Sequence, residues 1–234
     1  MSDTLEIKGI LIPNDPSIIT PKIARSIKND AYEKDEVKGT PKFIKSDDRV
    51  IELGAGIGFI SSFIHKHLNV SNILCVEADP TLCAFIKDVH KLNGITSIDV
   101  NNVVALNGNS TGTSIKFYIR SPFWSSSLDS EQEYVRVVDV PTVQLSSLIK
   151  DFKANTLIVD IEGGERDIFK NTNLDGIDKI FLEIHTRKIK RIGIKLCFDA
   201  LSQAGFAYDQ QVSRGGSVLF RRIPRWQMKT LAND

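Results

Sequence analysis

Three groups of residues have the types and spacing to do chemistry. The first is Gly54-Ala55-Gly56-Ile57-Gly58, directly after the apolar run Val50-Ile51-Glu52-Leu53. Glycines at alternate positions let a backbone turn tightly and let a ligand approach where a side chain would collide. A helix that follows presents unpaired amides to a polar or anionic group. The second is Glu77, in Val76-Glu77-Ala78-Asp79-Pro80. It falls roughly 20 residues past the loop, where an acid in a Rossmann-like site can accept hydrogen bonds from both hydroxyls of a ribose. The third is the pair of doublets Asp160-x-Glu162 and Glu183-x-His185. Residues two apart on an extended strand share one side, so three carboxylates and one imidazole are expected around one rim. An unperturbed imidazole titrates near neutral pH, which makes His185 the expected general base. Asp160 or Glu162 would orient it or bind substrate hydroxyls. Glu165 is expected to open a helix, where a carboxylate favours the N-terminal dipole.

These residues need elements to hold them. From Arg49 the pattern alternates strand and helix. Val50–Leu53 reads as a strand, and 57–68 as a helix with Phe59, Ile60, Phe63 and Ile64 on one face. Ile73–Val76 is a second strand, and Thr81–Leu92 a helix started by Asp79-Pro80 and ended by Gly94. Val100–Leu106 reads as a third strand. Residues 107–141 break the rhythm with β-like runs at 114–119 and 134–140, an insertion before the fourth core strand. A short helix is expected near 143–152. Strands at 156–161 and 179–184 and helices at 165–170 and 188–204 follow. The chain ends on an antiparallel hairpin, 206–212 and 217–222. The fold class is therefore α/β, a Rossmann-like doubly wound, mostly parallel sheet. Residues 1–48, punctuated by Pro13, Pro16, Pro21 and Pro41, read as an N-terminal helical extension with a helix from about 21 to 37. Residues 49–234 read as the main domain.

The third glycine falls at 58 and position 59 is Phe, so the loop is not the dinucleotide fingerprint G-x-G-x-x-G. A nicotinamide oxidoreductase is disfavoured. The loop resembles motif I of the class I S-adenosylmethionine-dependent methyltransferases. Asp160-Ile161-Glu162-Gly163-Gly164-Glu165 resembles the D-x-E-G-x-E signature of the FkbM methyltransferase family. Asn93, Ala105-Leu106, the Ser125-Ser126-Ser127 loop and Glu183-x-His185 also fit that family. Glu52 stands where the family more often has Asp, and Gly164 where Ala is common. The resemblance covers residues 49–222 and implies methyl transfer, typically to a hydroxyl of a sugar or natural product. On this reading Glu52, Gly54, Ala55, Gly56, Gly58, Glu77, Ala78 and Ala105 hold S-adenosyl-L-methionine. Asp160, Glu162, Glu183 and His185 surround the reacting methyl group. Oxygen ligands also suit magnesium, the minor alternative to a base.

Arg187, Lys188, Lys190 and Arg191 crowd the start of a helix, where cations oppose its dipole. Arg187 and Lys188 are therefore expected to meet an anionic group on a small-molecule or glycan acceptor. Trp124, in the insertion, is expected to cover that acceptor.

Lysine and arginine total 30 against 29 aspartates and glutamates, a net charge of +1. That balance excludes a coat that neutralises nucleic acid in bulk. An apolar content of 41% excludes a wholly disordered chain,. The alternatives are an RNA-modifying methyltransferase and a non-catalytic cofactor-binding protein. No RNA-binding motif supports the first, and the intact loop with Glu77 opposes the second. Cys75, Cys83 and Cys197 form no C-x-x-C pair, and no signal-peptide or membrane-spanning pattern is present, so a cytoplasmic protein is expected.

Overall fold

The computed structural model describes residues 3–108, 110–120, 126, 128 and 133–227. Leu5 and Ile7 alternate with exposed neighbours on β1 (Thr4–Ile7), as Ile10 and Ile12 alternate with half-buried ones on β2 (Ile10–Pro13). Lys8 and Gly9 between them both take positive φ, 50° and 71°, the requirement of a tight hairpin turn. Two short helices follow, α1 (Pro21–Lys28) and α2 (Lys34–Gly39). The segment expected to be helical thus opens with a hairpin. Its expected long helix is broken at 29–33, where Asp30 and Glu33 adopt left-handed φ of 54° and 47°.

The central sheet follows the expected alternation. It holds β3 (Arg49–Leu53), β4 (Asn72–Glu77), β5 (Asp99–Asn102), β9 (Thr156–Val159), β10 (Lys179–Glu183), β11 (Phe206–Arg214) and β12 (Ser217–Arg222). Their order is β11-β12-β10-β9-β3-β4-β5. The strands from β10 to β5 run parallel, and β12 lies antiparallel against β10. From β3 the chain builds outward to β5, then returns to the other side of β3 with β9, which makes the β3/β9 gap the topological switch point. Alternate residues of β3 feed opposite faces. Val50 joins the core under α3 (Phe59–Leu68) and α4 (Pro80–Leu92). Ile51 and Leu53 join the core under α5 (Leu145–Phe152) and α6 (Thr186–Gln203).

The expected third strand is split at Val103. β5 stays in the central sheet, whereas β6 (Val104–Leu106) pairs with β8 (Arg136–Gln144), which also pairs with β7 (Ser114–Ile119). The insertion is therefore a three-stranded sheet of order β6-β8-β7. The helix expected at 165–170 is only a 3-10 turn, Gly164–Arg166. The long helix begins at Thr186 and is kinked at Lys190, whose φ of 59° and ψ of 178° are not helical.

The first 48 residues have no core of their own. Leu5, Ile7, Ile10, Ile12, Ile23 and Ile27 belong to the cluster that includes α3 and α4. Asn93, at the end of α4, locks the hairpin in place. Its Oδ1 accepts from the Leu11 N–H at 2.9 Å and its Nδ2 donates to the Leu11 carbonyl at 2.7 Å. Further on, buried Lys179 of β10 forms an ion pair with Asp48 and donates to the Phe43 carbonyl. No helix among the described residues is long and apolar enough to cross a membrane.

Candidate active site

The carboxyl ends of β3, β4 and β9 open into a cavity of about 1140 Å³. Gly54, Ala55, Gly56, Glu77, Ala78 and Ala105 line it, as expected for a cofactor site, and so does Glu52. Gly54, with φ of 79°, passes so close to β9 that a Cβ there would lie 1.7 Å from the Asp160 carbonyl oxygen. Only glycine lets the loop tuck under that strand end. Gly58 is different: it is not among the lining residues. A Cβ on it would meet Ile86 at 2.9 Å, so it lets α3 start close against α4.

Glu77 is almost wholly buried. Its Oε2 accepts from the Gly56 N–H at 3.0 Å and its Oε1 from the Asp79 N–H at 2.9 Å. Burial pushes its pKa up to about 7, against the pull of those amides. A carboxylate has about four acceptor positions, so capacity remains for a diol. Glu52 is more isolated. Burial lifts it to about 8, and the Cys75 thiol donates to it at 3.5 Å. It is therefore largely protonated at neutral pH.

The second rim is built by the loops after β9 and β10. Asp160 and Glu162 line the cavity. His185 stands behind them, with Nε2 3.5 Å from Asp160 Oδ1 and 3.4 Å from Glu162 Oε2. Its other nitrogen, Nδ1, lies 3.2 Å from Glu165 Oε1. Burial disfavours charge on this ring, but the Glu165 contact and the Asp160 and Glu162 carboxylates outweigh it and hold the pKa up at about 9. The expectation of an unperturbed imidazole facing the substrate is thus corrected on both counts. The ring is charged at neutral pH and is not among the residues lining the cavity.

Asp160 is the group that faces inward. Burial, with the Glu33 and Glu183 carboxylates close by, pushes its pKa well above the usual range. Its Oδ1 is buried and accepts no hydrogen bond. Oxygens of Glu33, Asp160 and Glu183 lie within 4.8 Å of one another.

The N-terminal segment also lines this cavity, through Tyr32, Glu33 and Glu36. Nothing local marks them. They reach the site because Tyr32 packs edge-on against Phe59 and Glu36 accepts from the Ser217 hydroxyl at 2.9 Å. Glu165 opens only the short 3-10 turn Gly164–Arg166, and its carboxylate accepts from the Gly163 and His185 N–H groups. On the same rim Arg187 and Lys188 line the cavity. Lys188 is already matched, 2.7 Å from Glu162 Oε2. Trp124 lies outside the described residues.

The donor and acceptor set suits S-adenosylmethionine. There is a glycine turn for close approach, an acid for a ribose diol, and an acidic rim for a cationic sulfur. Such a site at the switch point of such a sheet defines the class, a Rossmann-like S-adenosylmethionine-dependent methyltransferase. Residues 52–223 match the methyltransferase FkbM domain, and the chain belongs to that family. No curated protein sequence matches it. Among solved structures it is similar to M. jannaschii TYW2 in complex with AdoMet, at 13% identity and a TM-score of 0.49 over 94% of this chain and 86% of that one. It is also similar to a ribosomal protein L11 methylase from Lactobacillus delbrueckii subsp. bulgaricus. There the identity is 13% and the TM-score 0.48 over 84% and 81% of the two chains.

Proposed function

We propose that the protein methylates a hydroxyl oxygen of a small molecule or glycan, with Asp160 as the proton acceptor. The observation that carries this reading is the Asp160 carboxylate at the cavity wall, with its buried Oδ1 3.5 Å from the charged ring of His185. S-adenosylmethionine, when bound, supplies an electrophilic methyl group and leaves as a neutral thioether. Everything else falls to the chain. The cavity fixes the acceptor in line, which can supply several kcal/mol of the barrier. The acceptor O–H proton passes to the Asp160 carboxylate as the new O–CH3 bond forms. A carboxylate pKa raised by burial makes Asp160 a stronger base than an exposed one. The His185 imidazolium keeps a fraction of Asp160 ionised by favouring its charge. Arg187, which lines the cavity, would meet an anionic group on the acceptor.

Calorimetric titration with S-adenosylhomocysteine tests the cofactor half of this reading, and absence of binding would end it. Asp160→Asn should retain that binding and lose methyl transfer by about 100-fold or more, the scale of general-base catalysis. Arg187→Ala should raise the acceptor KM and leave S-adenosylhomocysteine affinity unchanged.

Magnesium is the second reading, favoured by the convergence of Glu33, Asp160 and Glu183. Crowded carboxylates need protons or a cation to offset their repulsion, and oxygen donors suit a hard divalent ion. Activity that survives exhaustive chelation supports the base; activity restored only by magnesium supports the metal.

A further inference from the structure

We propose that Glu165 is a positioning residue of this site: its carboxylate ties the loop after β9 to the loop after β10 and aims His185 Nε2 at Asp160 and Glu162. The proposal rests on the reading of Asp160 and His185 given above and adds the group that sets their geometry.

Glu165 is wholly buried. A buried carboxylate is tolerated only where donors surround it, and here they come from both loops. Oε2 accepts from the Gly163 N–H at 2.7 Å. Oε1 accepts from the His185 N–H at 2.8 Å and faces His185 Nδ1 at 3.2 Å. This one side chain accepts from backbone N–H groups of both loops, across a sequence separation of 20 residues from His185.

The loop it holds is strained. Glu162 takes φ of 51° and Gly163 φ of 111°. A left-handed non-glycine residue persists only where the surroundings fix it. This turn places the Glu162 carboxylate beside His185 Nε2 and Lys188. The same carboxylate of Glu165 therefore sets the turn and the ring.

The ring has two nitrogens, and the partner of one decides what the other does. With Nδ1–H directed at Glu165, Nε2 is left to face Asp160. A purely structural Glu165, buried to fill space, would leave the ring free to flip and would not define which nitrogen meets Asp160.

The test is nitrogen-correlated NMR on the full chain, which has only four histidines. A His185→Gln variant assigns the resonance. In the wild-type protein a slowly exchanging, downfield Nδ1–H signal is expected for His185. In Glu165→Gln, the amide cannot accept from both loops with the same charge. The His185 ring signal should be lost or shifted toward that of a solvent-bonded imidazole, and exchange of the Gly163 amide should speed up at least tenfold. Amides of β3 and β4 should keep their protection. An unchanged ring signal in Glu165→Gln overturns the proposal. Should that variant fail to fold, the wild-type spectrum decides: no protected Nδ1–H on His185 overturns it equally. S-adenosylhomocysteine titration of the wild-type protein is read separately. Its failure would sink the methyltransferase reading, whereas the ring signal reports on Glu165 alone.

Discussion

Glu52 and Glu77 are both buried acids on the cavity wall, yet their environments give them different chemistry. Glu77 holds two backbone amides and has a pKa of about 7. Hydrogen bonds from diol hydroxyls favour its ionised form. S-adenosylhomocysteine should therefore bind more tightly as pH rises through about 7 and more weakly below it, by up to tenfold per pH unit. Calorimetry between pH 5.5 and 8.5 checks this, and a flat profile would count against Glu77 as the diol acceptor. Glu52, held protonated to about pH 8, should tolerate replacement by Gln with little change in affinity at neutral pH. The rim residues predict a bell-shaped rate profile. Asp160 must be ionised to take a proton, so activity is lost on acidification at a pH above the ordinary carboxylate range. His185 must stay charged to support it, so activity falls as pH rises through about 9. A rate that instead climbs through pH 9 would return the base role to His185. Glu77 was legible in the sequence because its place follows from the strand before it. The charge of His185 was not, because it depends on Glu165, Asp160 and Glu162, and burial is invisible to spacing.

At the scale of elements, the glycine turn is the most constrained feature. Gly54→Ala would drive a Cβ into the Asp160 carbonyl at a positive φ. The loop would have to move, and S-adenosylhomocysteine binding should drop by more than tenfold while circular dichroism shows the sheet intact. The hairpin of β1 and β2 depends on Asn93. Asn93→Ala removes both bonds to Leu11 and should cost about 1–2 kcal/mol, with faster hydrogen exchange at the Leu11 amide. Strand and helix positions in the central sheet were readable because 2.0 and 3.6 periodicities are local. The N-terminal hairpin, with Leu5, Ile7, Ile10 and Ile12 alternating around Lys8-Gly9, was not legible, because each of its strands is only four residues long. The helix expected over 165–170 is only the 3-10 turn Gly164–Arg166.

For the whole molecule, the N-terminal segment and the sheet share one core. Urea unfolding should accordingly give one cooperative transition, and two resolved transitions would show that residues 1–48 fold apart. Asp48→Ala leaves Lys179 buried without its carboxylate. Breaking a buried pair in this way costs about 3–5 kcal/mol, measurable in the same urea experiment.

The parallel sheet, the glycine turn, Glu77 and the carboxylates after the last core strands were all legible along the chain. Each depends on periodicity or on spacing within one β-α unit, and such spacing is covalent. The tertiary structure alone decided what those groups are in chemical terms. It brought Glu33 beside Asp160 across more than a hundred residues, set His185 behind the rim as a cation, and gave Glu165 two loops to hold. Protonation and orientation come from neighbours that fold in from elsewhere and from the loss of water around them, and no local pattern encodes either.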